Sequence, residues 1–240
     1  MKRGRPRMGH ECRIKAGIIR HSWVCSWSAY NLPMLQIPTL QQAEALLSEA
    51  GARNPGPWVA HSRNVAEAAQ RIAARVPGMD GEAAYVLGLL HDMGRREGVT
   101  GMRHVLDGYR RLSQLGYEHA ARINMTHSFA NGDIREVFGE WDCSDEEQAF
   151  IEAYLARIEF DDYDRLIQLC DALAMADGFV LMEKRLVDVA VRYGAEVGVS
   201  AYSIRKWRKK FEIRADFERR LGCSIYDLLP GVVENTFKRG

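Results

Sequence analysis

The sequence predicts an all-α protein, a single-domain helical bundle, and three observations carry that expectation. Apolar residues recur at helical spacing through almost the whole chain from Thr39 onward. Strand-like alternation of useful length is missing. Capping residues, glycines and prolines punctuate the helical stretches at short intervals. One helical domain over residues 34–240 is expected, with no internal repeat and no low-complexity linker.

Taken in order, Thr39 can cap a helix that runs through Leu46 and Leu47 and closes at Gly51. Pro57 suits a first helical position and opens WVAHSRNVAEAAQRIAARV, which stops at Pro77-Gly78. Asp80 caps GEAAYVLGLLHD, with Gly94 as its expected end. Further helices are expected over 103–115, 117–129, 144–158, 162–177, 178–193 and 201–221, with a short turn at SIYDLL after them. The acidic stretch FDDYD (160–164) reads as a helix N-terminus favoured by the dipole. SIRKWRKKFEIRADFERR reads as an amphipathic packing helix with a solvated basic face.

Residues 1–33 differ from the rest. They show no helical period and carry seven Lys or Arg against Glu11 alone, a charge of +6. The chain's net charge of +1 therefore leaves −5 for the remainder. This stretch is expected to be a disordered extension, or to arise from a start codon placed too far upstream.

The bulk numbers exclude several classes. A net charge of +1 gives no electrostatic case for nucleic acid or a membrane surface as partner. No apolar run approaches the length of a membrane span, and the longest near the N-terminus is too short for a secretory signal. Five scattered cysteines (Cys12, Cys25, Cys143, Cys170, Cys223), with no CxxC, read as reduced thiols in a cytoplasmic protein.

Six polar residues break the apolar stripes. His61 lies one turn before Val65, and His91 four residues after Leu87. Asp92 is three after Leu89, His104 eight before Leu112, His127 four after Ile123, and Asp171 four after Ile167. One inward histidine is an ordinary hydrogen-bonded core residue. Four histidines and two aspartates aimed inward are different, because unpartnered burial costs several kcal/mol per group. A divalent cation of intermediate softness removes that cost, since neutral imidazoles and carboxylates are its ligands. His119 is expected outside this set.

The order His61, His91-Asp92, His104, His127, Asp171 resembles the HD superfamily of metal-dependent phosphohydrolases. The likeness runs from about Trp58 to Arg192. AYVLGLLHDMGR is similar to the family's second-helix signature, HVLDGYRRLSQLG to its His-x3-Gly helix, NMTHSF to its next histidine helix and LIQLCDALA to its closing Asp helix. Two departures stand out: Ser128 follows His127 where a second histidine is frequent, and the cyclic-di-GMP subgroup's pattern is absent.

The resemblance implies an HD-type bundle holding one or two divalent ions per chain, from Fe, Mn, Co, Ni, Zn or Mg. His61, His91 and Asp171 would complete one ion and His104 and His127 a second. Asp92 would bridge them or orient the nucleophilic water. Arg95 stands where the family commonly has lysine and would clamp a phosphate; Arg96, Lys184 and Arg185 are weaker candidates. The implied reaction is hydrolysis of a phosphomonoester or phosphodiester of a small nucleotide-like substrate by a metal-activated hydroxide. Two alternatives stay open: a di-iron oxygenase built on the same ligands, and a non-catalytic nucleotide-binding regulator.

Overall fold

The computed structural model describes residues 35–138, 141–194 and 198–238. The extension expected over residues 1–33 lies outside them. Helix α1 (Leu40–Arg53) begins at Thr39, whose hydroxyl accepts from Gln42 N while the Gln42 carboxamide accepts from Thr39 N. It does not close at Gly51. A Cβ there would lie 3.0 Å from Val59 Cγ2, so this glycine serves the approach of α1 to the next helix.

Helices α2 (Pro57–Ala73) and α3 (Gly81–Leu90) start where the sequence places them, at Pro57 and after an Asp80 cap. They pack almost backbone to backbone, since a Cβ on Gly88 would sit 2.7 Å from Ala66 Cα. Gly94 does not terminate α3. The helix stops at Leu90, and Met93–Glu97 form a 3-10 turn laid against α4 (Arg103–Gln114). A Cβ on Gly94 would collide with the carbonyl of His104, and one on Gly108 with the Asn124 side chain.

Helix α5 (Glu118–Thr126) returns along α4, and α6 (Asp145–Leu155) and α7 (Asp162–Asp171) follow, capped by Ser144 and Asp161. Each of the last three ends short of the sequence expectation. For α7 the reason is a hairpin, β1 (Ala174–Met175) paired antiparallel with β2 (Gly178–Phe179), turned at Ala176-Asp177, with the following Gly178 at a φ of 132°. Strands of two residues leave no alternation to read. Helices α8 (Met182–Tyr193), α9 (Ala201–Leu221) and the unexpected α10 (Val232–Thr236) complete the described elements.

Leu47, Ile72, Leu87, Leu169 and Phe217 are buried in the main core, which draws on α1, α2, α3, α7 and α9. Val105, Leu106, Met125, Phe129 and Ile151 form a smaller one among α4, α5 and α6. Among the described residues no helix is long and apolar enough to cross a membrane.

Candidate metal centre

Three helices end at one place. His91 immediately follows α3, His127 immediately follows α5, and Asp171 is the last residue of α7. Helix C-termini present unpaired carbonyls and a partial negative charge, which favours a cation. His61 enters from within α2 and His104 from the first turn of α4. That turn is held by Asp142, whose carboxylate accepts from Gly101 N at 2.6 Å and Arg103 N at 2.7 Å.

The four imidazoles form a chain, with ring centroids 5.3 Å apart for His61–His91, 5.1 Å for His91–His127 and 5.4 Å for His104–His127. All four are buried, as is Asp92; Asp171 is partly exposed. Two groups have donor atoms close enough to share an ion: His61 with His91 and Asp171, and His91 with Asp92 and His127. The structure thus brings together all six residues singled out in the sequence.

Their protons can be placed. His91 Nδ1 lies 2.7 Å from Gly88 O, His104 Nδ1 2.5 Å from Gly101 O, and His127 Nδ1 2.9 Å from Asn124 O. A carbonyl only accepts, so each Nδ1 carries the proton and each Nε2 keeps a bare lone pair. These lone pairs converge. His104 Nε2 is 3.4 Å from His127 Nε2, and the two lie 3.3 Å and 3.6 Å from Asp92 Oδ1. His91 Nε2 is 3.8 Å from Asp92 Oδ2 and has no hydrogen-bond partner, and neither has His61 Nδ1. Ser128 Oγ, 3.1 Å from His127 Nε2, can donate into the set.

Acceptors facing acceptors repel unless a cation joins them. Protonating a second ring nitrogen is opposed by burial, which lowers His61 and, with Arg95 adding to the effect, takes His104 down to about 3. Burial and then His91 take His127 to about 4. Burial pushes the Asp92 carboxyl up, but Arg95 and the histidines outweigh it and hold it well below the usual carboxylate range. Asp171 is held low in the same way, by Lys210, His61 and Arg185 against burial. Neutral imidazoles and ionised carboxylates in one buried cluster are a donor set that fits a divalent metal.

Four other candidates separate from the cluster to different degrees. Arg95 stays near it, its Nε 3.6 Å from Asp92 Oδ2 and its Nη1 donating to Thr100 O at 2.7 Å. Arg96 is bound to Glu49 at 2.9 Å and Glu97 at 3.0 Å, tying the 3-10 turn to α1. Lys184 donates to Asn235 O and Thr236 O at the end of α10, a helix-capping role. His119 stands apart, beside Asp161 at 3.5 Å and edge-on to Tyr163.

The family model of the HD domain matches residues 58–176. The chain is an HD-domain protein. No curated protein and no solved structure matches it. The HD match includes His61, His91, Asp92, His104, His127 and Asp171, and the family is largely one of metal-dependent hydrolases. It ends in the hairpin, before α8.

Beyond that limit the structure adds residues that the sequence reading placed elsewhere or ranked low. Lys210, assigned by its sequence to a solvated basic face, is buried, with Nζ 3.2 Å from Asp171 Oδ2. Its stripe was there to see: Ser203, Lys210, Ile213 and Phe217 follow at spacings of seven, three and four, and all are buried. Arg185 puts Nη2 3.6 Å from Asp171 Oδ1. A cleft of 340 Å³ opens onto His61 and Asp92, walled by Pro57, Trp58 and Met175 and by three residues of α8.

Proposed function

We propose that this HD-domain protein is a metal-dependent phosphohydrolase that cleaves a phosphate ester of a small nucleotide-like substrate. One observation carries the reading: fixed, unprotonated Nε2 atoms converge on Asp92, and Asp92 with His61 lines a cleft large enough for a small molecule. His61, His91 and Asp171 would hold one divalent ion, and His104 and His127 a second, with Asp92 shared. A divalent ion held there supplies Lewis acidity toward a phosphoryl oxygen and makes a water acidic enough to attack near neutral pH.

The chain's own groups do the rest. Asp92 turns Oδ1 to His104 and His127 and Oδ2 to His91 and Arg95, so its oxygens serve different neighbours. Where one oxygen is left over, it accepts a hydrogen bond from the attacking water and aims it. The Nδ1–H bonds to backbone carbonyls lock three ring orientations, which keeps the donor atoms in place when the substrate arrives. Arg95 steadies the Asp92 charge and offers its remaining N–H groups to a phosphoryl oxygen.

Elemental analysis of anaerobically purified protein beside Asp92→Ala, with turnover of a panel of nucleotides and generic phosphodiesters, tests the proposal. Near two ions per chain in the wild type, lost in the variant together with phosphate release, is the expected result. No metal after reconstitution, or a loaded protein inert toward the whole panel, would overturn it.

A further inference from the structure

The cleft has a charged wall that the hydrolytic step leaves unused. Arg185, Asp188 and Arg192 lie at spacings of three and four on α8, on one helical face, and all three line the cleft with His61 and Asp92. Asp188 Oδ2 accepts from Arg185 Nη1 at 3.1 Å and from Arg192 Nε at 3.1 Å. One carboxylate therefore holds two guanidiniums and leaves the wall with a net positive charge.

The ground behind the wall is positive as well. A cavity of 50 Å³ lined by Asp171 and Arg185 also receives Lys206 and Lys210 from α9. Once Asp92 and Asp171 are committed to metal, Asp188 is the one carboxylate left among the residues lining the two cavities, against four cations. The two arginines also differ in exposure. The Arg185 side chain is 13% exposed and is tied to Asp171, whereas that of Arg192 is 47% exposed. Seven residues of helix separate them, about 10 Å of rise. The wall is thus a track leading from the metal centre toward solvent, with its outer guanidinium already oriented by Asp188.

We infer that Arg192, with Arg185, forms a second oxyanion subsite, so that the substrate carries another anionic group, phosphate or carboxylate, several ångströms from the phosphoryl group that reacts. The inference rests on the phosphohydrolase reading for the first anion. It names a binding role for α8, which lies outside the residues matched by the family model.

Titration calorimetry on the full chain loaded with Mn²⁺ tests it, using methylphosphonate, tetramethylene bisphosphonate and phosphonobutyrate as probes. The bisphosphonate is expected to bind at least about tenfold more tightly than methylphosphonate, the worth of one charge-assisted contact. Arg192→Ala should erase that margin and leave methylphosphonate within about twofold, while Arg192→Lys keeps part of it. Arg219→Ala, an exposed arginine off the cleft, should change neither probe. Phosphonobutyrate matching the bisphosphonate would identify a carboxylate; falling back to methylphosphonate would identify a phosphate. No margin in the wild type, or equal weakening of both phosphonates in Arg192→Ala, would overturn the subsite. The turnover panel separates the two readings. An inert chain with an Arg192-dependent margin, seen also in chelator, loses the hydrolase and keeps the subsite, and an active chain with no margin does the reverse.

Discussion

Helices α5 and α7 carry two buried polar clusters, and the clusters are built on opposite terms. Near the start of α7, Asp164 is fully buried and accepts from Thr126 Oγ1 at 2.6 Å, Arg122 Nε at 3.1 Å and Asp161 N at 2.9 Å. Gln168, one turn on, donates to Thr126 O at 3.0 Å. That circuit is closed by the protein itself. At the far end of α7, Asp171 joins His127, the residue directly after Thr126, in the second cluster, yet there the ring nitrogens meet other acceptors. Buried polarity does not mark a functional site on its own; convergent lone pairs that outnumber the donors the chain supplies do.

The contrast is broken most sharply by removing one carboxylate from each cluster. Asp92→Ala is expected to cut phosphate release by a thousandfold or more and to lower the bound metal, with little change in the unfolding midpoint in chelator. Asp164→Ala should do the opposite. It takes from the Arg122 guanidinium its main carboxylate partner, leaving Glu159 O and the more distant Asp161. Thr126 Oγ1 and Asp161 N lose Asp164 as acceptor, and the cost is about 3–5 kcal/mol of stability, while the metal stoichiometry of the folded fraction stays the same. Steady-state kinetics, metal analysis and urea denaturation on the pair decide it. A stability loss of that size in Asp92→Ala, or a metal loss in Asp164→Ala, would erase the distinction.

Acid should sharpen it. His61, His104 and His127 have pKa values lowered in the folded chain, so the unfolded chain binds more protons between the ordinary value of 6.5 and the folded values of about 4 and about 3. Stability of the metal-free protein is therefore fully present above about pH 6.5 and falls as the pH drops through that window. Asp92 and Asp171, held low, contribute stability that is lost only further toward acid. Metal should deepen the dependence, because the same nitrogens must be unprotonated to bind it. At a free metal concentration a hundred times its Kd the folded state gains about 2.7 kcal/mol, and this gain should vanish toward acid. Thermal midpoints against pH, with metal and with chelator, give the measurement; a flat chelator curve from pH 7 to 4 would contradict it.

What the sequence disclosed follows the same physics. The six cluster residues were legible because a helical period of 3.6 fixes which side chains point inward, and polar residues on an apolar stripe stand out. Thr39, Asp80 and Pro57 were legible as starts because capping is local chemistry. Helix ends were not: Gly51 and Gly94 look like terminators, yet both are present for close approach to another segment, a tertiary fact. Arg185 and Lys210 reach Asp171 only because the chain reverses through a hairpin of two-residue strands, too short to read. Lys210 sits in a run so rich in Lys and Arg that its place on the buried stripe was masked by composition.

The smallest expected effect is the control that makes the others interpretable. His119 is half-buried, lowered in pKa by burial, and edge-on to Tyr163, so by composition alone it resembles the four cluster histidines. It differs in what its Nε2 faces: Asp161 Oδ2 at 3.5 Å, one acceptor from a helix cap, rather than other imidazole lone pairs. His119→Gln keeps a polar side chain of similar reach. It should cost no more than about 1 kcal/mol in denaturant unfolding and leave metal content and turnover unchanged. His127→Gln, from the same helix and of the same chemistry, should lower both. If His119→Gln strips metal as well, histidine loss acts through the packing of α5, and the lone-pair convergence would no longer single out one end of that helix for metal.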